Sequence, residues 1–503
     1  MSPLSLELAL GVLGLVLLLV ESFTRVPRKT LAYGAIGGLT LALLILVFGG
    51  ASGQAPGMEE FYAVDALALF YKGLALVATI ATIVLSLEYA PVVNQYVATY
   101  PEKHKEAGLG EFFSLPVFVC VGMMVMASAK DLITIFVALE LVTVSFYVLV
   151  AYMRRSAASL EAGVKYLILG ALSTGLLIYG LAWLYGMTGA LTLEDIAKSL
   201  KHWEGSTAPL LFAAALVIAG LGFKVGAVPF HIWVPDVYQG APTPVTAFLS
   251  VGSKAAGFIV LTRVVETFLA EGSAIAQPIS HVLLVLGGAT ILLGNLAAIA
   301  QTNFKRLLAY SSIAHAGYLL IVLGCSPAGG TGLTPGQIAA FYLATYLPMT
   351  FICFLLLSVA RAQGLGEEIA SLRGLALSNP KLGMAVTLAL ASLAGLPLTA
   401  GFMGKFLVIF ATVLDGLYPY LAIAVIGAAV GFYYYFRVIL SLYSKTEGEA
   451  APVKLKLGLP SVVLLVLFTA SIVVMGVYPD SVRKALGDKG AAKAHVATAV
   501  EKH

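Results

Sequence analysis

Charge is scarce in this chain. Of its 503 residues only 11% are Asp, Glu, Lys or Arg, against 60% hydrophobic. That is too little polar surface to cover a chain of this length in water, so the composition excludes a soluble globular protein and indicates an all-α integral membrane protein. The formal net charge is only +4 and the basic residues fall in short loops rather than one patch, which excludes a nucleic-acid-binding face. Cys120, Cys325 and Cys353 stand in apolar runs without CxxC or Cys/His spacing, so neither a disulfide framework nor a metal cage is expected. They read as small buried apolar residues. The glycines between Gly220 and Gly226 lie inside an apolar run with no strand before it, which excludes a phosphate-binding loop.

What the chain has in quantity is apolar sequence. Spanning a bilayer takes about 20 apolar residues as helix, and fourteen such runs are present: 3–22, 31–50, 63–89, 112–129, 131–153, 158–187, 208–239, 243–270, 279–300, 303–325, 336–362, 380–414, 419–444 and 459–479. The first carries Glu7 and is followed by Arg25, Arg28 and Lys29, the pattern of a retained helix with its N-terminus outside rather than of a signal peptide. With that orientation the inside loops hold fifteen Lys and Arg residues and the outside loops three, before the tail. This imbalance supports an even number of spans with both termini outside. The tail from Asp480 to His503 is itself basic and reads as a poorly ordered end. Leu191–Trp203 is expected to form a short amphipathic helix on the outer surface.

Two runs are expected to break. The seventh has Gly220, Gly222, Gly226 and Pro229 around Lys224, and the twelfth has Gly395, Pro397, Gly401 and Gly404 before Lys405. Such residues free backbone groups, which at membrane depth need protein or water as partners, and water is the expected one. Corresponding breaks in two halves point to inverted repeats. The chain is accordingly expected to divide into a three-helix segment and loop (1–111), a first five-helix repeat (112–270), a second (279–444), and a last helix with the tail (445–503).

Four charges lie deep in these runs: Glu140, Lys224, Lys254 and Lys405. A charge at that depth costs several kcal/mol unless it is paired or used. Glu140 and Lys254 are nine and eleven residues into their runs, roughly 14 to 17 Å deep and near the midplane. Burial disfavours the charged form of either group and pairing restores it, so a Glu and a Lys able to approach and separate make a proton switch. Lys165 is placed nearer the inside, and His231 and His315 are possible relays. The competing reading for each is a buried pair or hydrogen bond that only fixes packing. For Lys72, Asp65 and Arg263, nearer helix ends, extension toward the interface is the expectation. No oxygen cage for Na⁺ is visible, which favours the proton.

Two longer motifs carry a family resemblance. The run Gly222–Val245, GFKVGAVPFHIWVPDVYQGAPTPV, followed by Ser253 and Lys254, closely resembles the antiporter-like membrane subunits of respiratory complex I, and Asp236–Pro242, DVYQGAP, looks like their N-type member. Asn303–Tyr318, NFKRLLAYSSIAHAGY, is similar to the wider family, which includes cation/proton antiporter subunits. The resemblance spans the third to the fourteenth run. It implies a proton-translocating subunit of NADH:quinone oxidoreductase, with Glu140 and Lys224 as the switch pair and Lys254, Lys165 and Lys405 further along the path. At the Lys405 position the M-type relative usually carries Glu. It implies no cofactor in this chain, with NADH, FMN, iron–sulfur clusters and quinone in partner subunits, and M-type and K-type neighbours in a bacterial-type inner membrane. The alternatives are an Mrp-type antiporter subunit, the equivalent subunit of a ferredoxin- or deazaflavin-linked dehydrogenase, and a scaffold that transports nothing.

Overall fold

Where no water reaches the backbone, only helices satisfy every N–H and C=O within one segment. The structure, a computed structural model, describes residues 4–24, 26–49, 57–58, 60–97, 109–326, 332–444 and 453–487. The described residues are helical apart from loops, and their only β-pairings are three isolated bridges.

The N-terminal segment holds α1 (Leu4–Phe23), α2 (Arg28–Phe48) and α3 (Ala66–Val97). Next come α4 (Gly110–Ser128), α5 (Leu132–Val150), α6 (Ala157–Thr188) and the short α7 (Leu193–Lys201). They lead into α8 (Ala208–Val225), α9 (Trp233–Gly240), α10 (Thr243–Phe248), a π turn over Leu249–Ser253, and α11 (Lys254–Phe268). The second half has α12 (Ala276–Ile299), α13 (Phe304–Gly324), α14 (Pro335–Ala362), a 3₁₀ turn at Ile369–Leu372 and α15 (Leu375–Ser378). It continues with α16 (Pro380–Ala394), α17 (Ala400–Leu414) and α18 (Tyr418–Tyr443), and the chain ends in α19 (Leu459–Val477) and α20 (Asp480–Ala485).

Thirteen described helical segments are long and apolar enough to cross a membrane, counting Thr243–Phe268 as one. The expected run 380–414 is the exception, because it folds as the two shorter helices α16 and α17. The expected run 208–239 stops as a helix at Val225. The third helix outruns its expected end at 89, continuing through Pro91 to Val97. The expected surface helix is α7, capped by the Thr192 side chain on the Asp195 amide. Arg25, Lys103, Lys105 and Lys445, and the tail from 488 onward, lie outside the described residues.

The most apolar windows of α13, α14 and α10–α11 are each 94% buried, whereas those of α1, α2, α6 and α19 are 22–28% buried. The former are the core and the latter the perimeter. In the core α12 lies backbone against backbone on α13: a methyl group on Gly294 would sit 2.5 Å from the Ala314 amide nitrogen. Small residues at such crossings let helices approach without a hydrophobic drive between them.

Loops join the helix ends into two polar sides. On the α7 side Ala63 N donates to Ser128 O (2.6 Å), Leu132 N to Leu191 O (3.1 Å) and Ala274 N to Leu200 O (3.1 Å). On the opposite side Phe304 N donates to Glu367 O (2.9 Å) and Gly374 N to Ser441 O (3.2 Å).

Candidate functional site

The first break is made by Gly226, whose φ of 76° closes α8 in the left-handed conformation that glycine adopts without cost. Protein groups meet the backbone around this break. Ser173 Oγ donates to Gly220 O (2.9 Å), Trp233 Nε1 to Phe223 O (2.9 Å), and Val228 N to Thr290 Oγ1 (3.0 Å). Lys224 is held two residues before the break, only 8% exposed, with Nζ donating to Thr143 Oγ1 (2.9 Å). Thr143 stands three residues after Glu140 on the same face of α5. Half-buried Glu140 accepts from Thr174 Oγ1 (2.9 Å) of α6. Glu140 acts on Lys224 electrostatically but forms no ion pair with it. The two are therefore poised apart, each on a threonine hydroxyl.

Lys254 follows the π turn, which inserts one residue into the helical repeat and re-aims the side chains after it. Its Nζ donates to Ser312 O (2.6 Å) and to Ser312 Oγ, which also meets the Tyr238 hydroxyl at 3.4 Å. Ser311, Ser312, His315 and Tyr318 share one face of α13, at three- and four-residue spacing. Ser311 Oγ bonds to the Tyr435 hydroxyl, Tyr435 to His315 Nε2 (3.1 Å), and His315 Nδ1 to the Tyr342 hydroxyl (2.6 Å). Both Lys254 and Lys405 lie within electrostatic reach of the His315 ring. The expected polar track is thus present in two pieces, Lys254–Ser312–Tyr238 and Ser311–Tyr435–His315–Tyr342, which meet only as neighbouring residues of α13. Among the described residues it does not run unbroken: no hydrogen bond links Lys224 to Lys254, where α8 meets Gly257 of α11 by packing alone.

The second break mirrors the first in its closure. Gly395 ends α16 with φ 99°, and the link to α17 includes Leu398 at φ 68°, a non-glycine residue in the left-handed region. Such a residue stores backbone strain of order 1–3 kcal/mol. Lys405, 6% exposed, donates from Nζ to Leu393 O (2.9 Å) and Ala394 O (2.8 Å), the carbonyls that the break frees. It also stands 5.7 Å from the centre of the Tyr318 ring. Gly401 N donates to Ser392 Oγ (3.0 Å), drawing α17 onto the end of α16. A methyl group on Gly401 would lie 1.9 Å from Ser392 O, a backbone atom with no freedom to move aside. Gly401→Ala is expected to cost at least the ~1–3 kcal/mol typical of overpacking, and to lower the amount of assembled subunit on native gels. Normal assembly with normal activity would show that α17 can slide along α16.

The remaining expectations fare differently. Lys165 is not a member of the buried line. Its side chain is 41% exposed and bound to Glu161 and Asp236, each at 2.7 Å, while Asp236 also holds Arg306 at 2.8 Å. The helical spacing that suggested depth gave no warning that α6 turns this face outward. His231 lies half-buried in the turn between α8 and α9. Asp65 and Arg263 pair at 3.1 Å, with Asp65 exposed at 48%, as expected near an interface. Lys72 does not extend to the interface: it is 1% exposed and paired with Glu7 at 2.8 Å. Lys305, placed in a loop by its position, is also buried, against Glu367 (3.3 Å) and Ala241 O (2.8 Å). Thr143, Thr174, Ser312, Tyr342 and Tyr435 are absent from the sequence expectations. Thr143 and Ser312 were legible from their spacing to Glu140 and His315, whereas Tyr342 and Tyr435 arrive from distant helices.

Residues 129–431 match the family model described as NADH:quinone oxidoreductase/Mrp antiporter, transmembrane. NADH-quinone oxidoreductase subunit N of Desulforamulus reducens is 39% identical over 480 residues, covering 94% of each chain. Subunit N of Heliobacterium modesticaldum is 38% identical over 485 residues, 95% of this chain and 96% of the relative. A chain of respiratory complex I from Thermus thermophilus with bound aureothin superposes with a TM-score of 0.78 at 33% identity, over 96% of this chain and 99% of that one.

Proposed function

The chain belongs to the family of membrane subunits shared by NADH:quinone oxidoreductase and the Mrp antiporters, and from that premise we propose that it is the proton-translocating subunit N of an NADH:quinone oxidoreductase. One observation carries the reading. Lys224, Lys254 and Lys405 are each at least nine-tenths buried, and each donates to hydroxyl or carbonyl oxygens rather than to a carboxylate. A lysine so held gives up its proton without breaking an ion pair, whereas a purely structural buried ammonium needs a counter-ion to offset its desolvation.

In this mechanism Glu140 and Lys224 approach and separate, so that a proton is held at Lys224 or released toward Lys254. Ser312, Ser311, Tyr435 and His315 pass it through hydroxyl and ring nitrogen atoms toward Lys405, whose proton faces the Leu393 and Ala394 carbonyls. The helices α4–α11 and α12–α18 form two inverted repeats, a reading supported by a lysine beside a glycine-closed break in each. NADH, FMN, iron–sulfur clusters and quinone belong to other subunits, and M-type and K-type subunits are the neighbours in the membrane. The membrane is a bacterial-type inner membrane with the α7 side outermost, which the loop charges support.

Relatives named subunit N favour this reading over an Mrp-type subunit. Purifying the tagged chain with its partners decides between donors: NADH-driven quinone reduction in the purified complex is expected. Oxidation of reduced ferredoxin but not of NADH would move the chain to a related dehydrogenase.

A further inference from the structure

A second buried acid and base lies outside the residues that the family model matches. Glu7 of α1 and Lys72 of α3 are 2% and 1% exposed and pair at 2.8 Å. The Tyr62 hydroxyl donates to Glu7 Oε1 and accepts from Lys72 Nζ. Glu7 Oε2 is buried and, among the described residues, has no hydrogen-bond partner. Lys72 follows Ala66, the start of α3, by six residues, roughly 9 Å below the α7 side.

Charged groups connect this pair to that side. Asp65 and Arg263 lie within electrostatic reach of Lys72. Arg263 holds Asp65 at 3.1 Å and donates to Ala127 O at 2.8 Å. Glu266, three residues on in α11, faces the same two groups. Arg263 and Glu266 line a cavity of about 270 Å³ together with Lys130 and Glu194, which opens between α7 and α11.

We propose that Glu7, Tyr62 and Lys72 form a further proton-holding station for the protons the chain translocates, between the membrane interior and the α7 side, reached through Asp65, Arg263 and Glu266. The proposal rests on the proton-translocating function above. In its step an Nζ–H bond of Lys72 breaks and an O–H bond forms on Glu7 Oε1 across the 2.8 Å pair, leaving a neutral amine and a neutral acid. One proton then arrives at the amine and one leaves the acid, which restores the ion pair with a single proton moved. Tyr62, bonded to both groups, keeps them aligned throughout.

The alternative is a clamp that merely ties α1 to α3, and two variants separate it from a station. Lys72→Arg keeps a cation on Glu7, but a guanidinium retains its proton at any accessible pH and cannot hand it on. The double variant Glu7→Gln with Lys72→Met removes both charges together, so that neither is left buried and unpaired. The measurement is NADH-driven acidification of inverted membrane vesicles carrying the whole complex, normalised to the amount of complex. Both variants are expected to assemble and to pump several-fold less. Wild-type pumping by either assembled variant, or failure of both to assemble, would overturn the station in favour of the clamp. Lys224→Ala vesicles measured in parallel keep the two readings distinguishable: if those also pump normally, the proton path assigned to this chain through Glu140 and Lys224 falls, not the station alone.

Discussion

Lys224→Ala and Glu140→Ala are each expected to leave the complex assembled while proton release and coupled quinone reduction collapse. Lys224 Nζ is bound to Thr143 Oγ1 at 2.9 Å and Glu140 to Thr174 Oγ1 at 2.9 Å, so truncating either charged group leaves a threonine whose hydroxyl can turn to a backbone carbonyl. Thr143 already donates to Leu139 O at 2.7 Å. The structural cost is therefore modest. The functional cost is not, because a positioned acid or base contributes about a hundredfold or more to the step it serves. Glu140→Gln and Lys224→Met keep the volume and remove only the proton-carrying group, and they are expected to fail equally. Normal NADH-driven acidification by a fully assembled variant of either kind would remove both residues from the path.

The second large effect is at Lys405, where the replacement matters more than the loss. Nζ serves two carbonyls, Leu393 O and Ala394 O, at the end of α16. Lys405→Ala leaves both without that donor at membrane depth, where an unsatisfied backbone group costs several kcal/mol. Lys405→Glu retains an ionisable group that, when protonated, donates one O–H to one of the two carbonyls and still carries a proton. Lys405→Glu is thus expected to keep a substantial fraction of coupled activity and Lys405→Ala almost none, measured side by side in membrane vesicles. Equal and severe loss in both would show that the positive charge itself is required there.

Much of this molecule is legible from hydropathy because a bilayer imposes one rule on every span. Thirteen of the fourteen apolar runs fold as helical segments of spanning length, and the fourteenth is split between Gly395 and Thr399, where glycine and proline cluster. The same reading located Lys224 and Lys405 beside breaks, since clustered Gly and Pro stand out in an apolar run. It failed at Lys165 and Lys72 for one reason: sequence gives a residue's height along its helix but not which neighbour covers it. Lys165 is at similar depth to buried residues yet faces outward on α6, and Lys72 is close to a helix end yet enclosed by α1.

By itself the sequence determined the membrane class, the order of the apolar spans, the two breaks and the family, because these follow from local composition, the 1.5 Å rise of a helix and contiguous motifs. Only the tertiary structure decided which charges are paired and which are not. It set Glu140 and Lys224 apart on separate threonines, placed Lys254 on Ser312 of α13 and His315 on Tyr435 of α18, and closed Glu7 on Lys72 across 65 residues of chain. A buried charge takes its partner from whichever helix packs against it, and that choice belongs to the rotation and crossing of helices, which no single segment encodes.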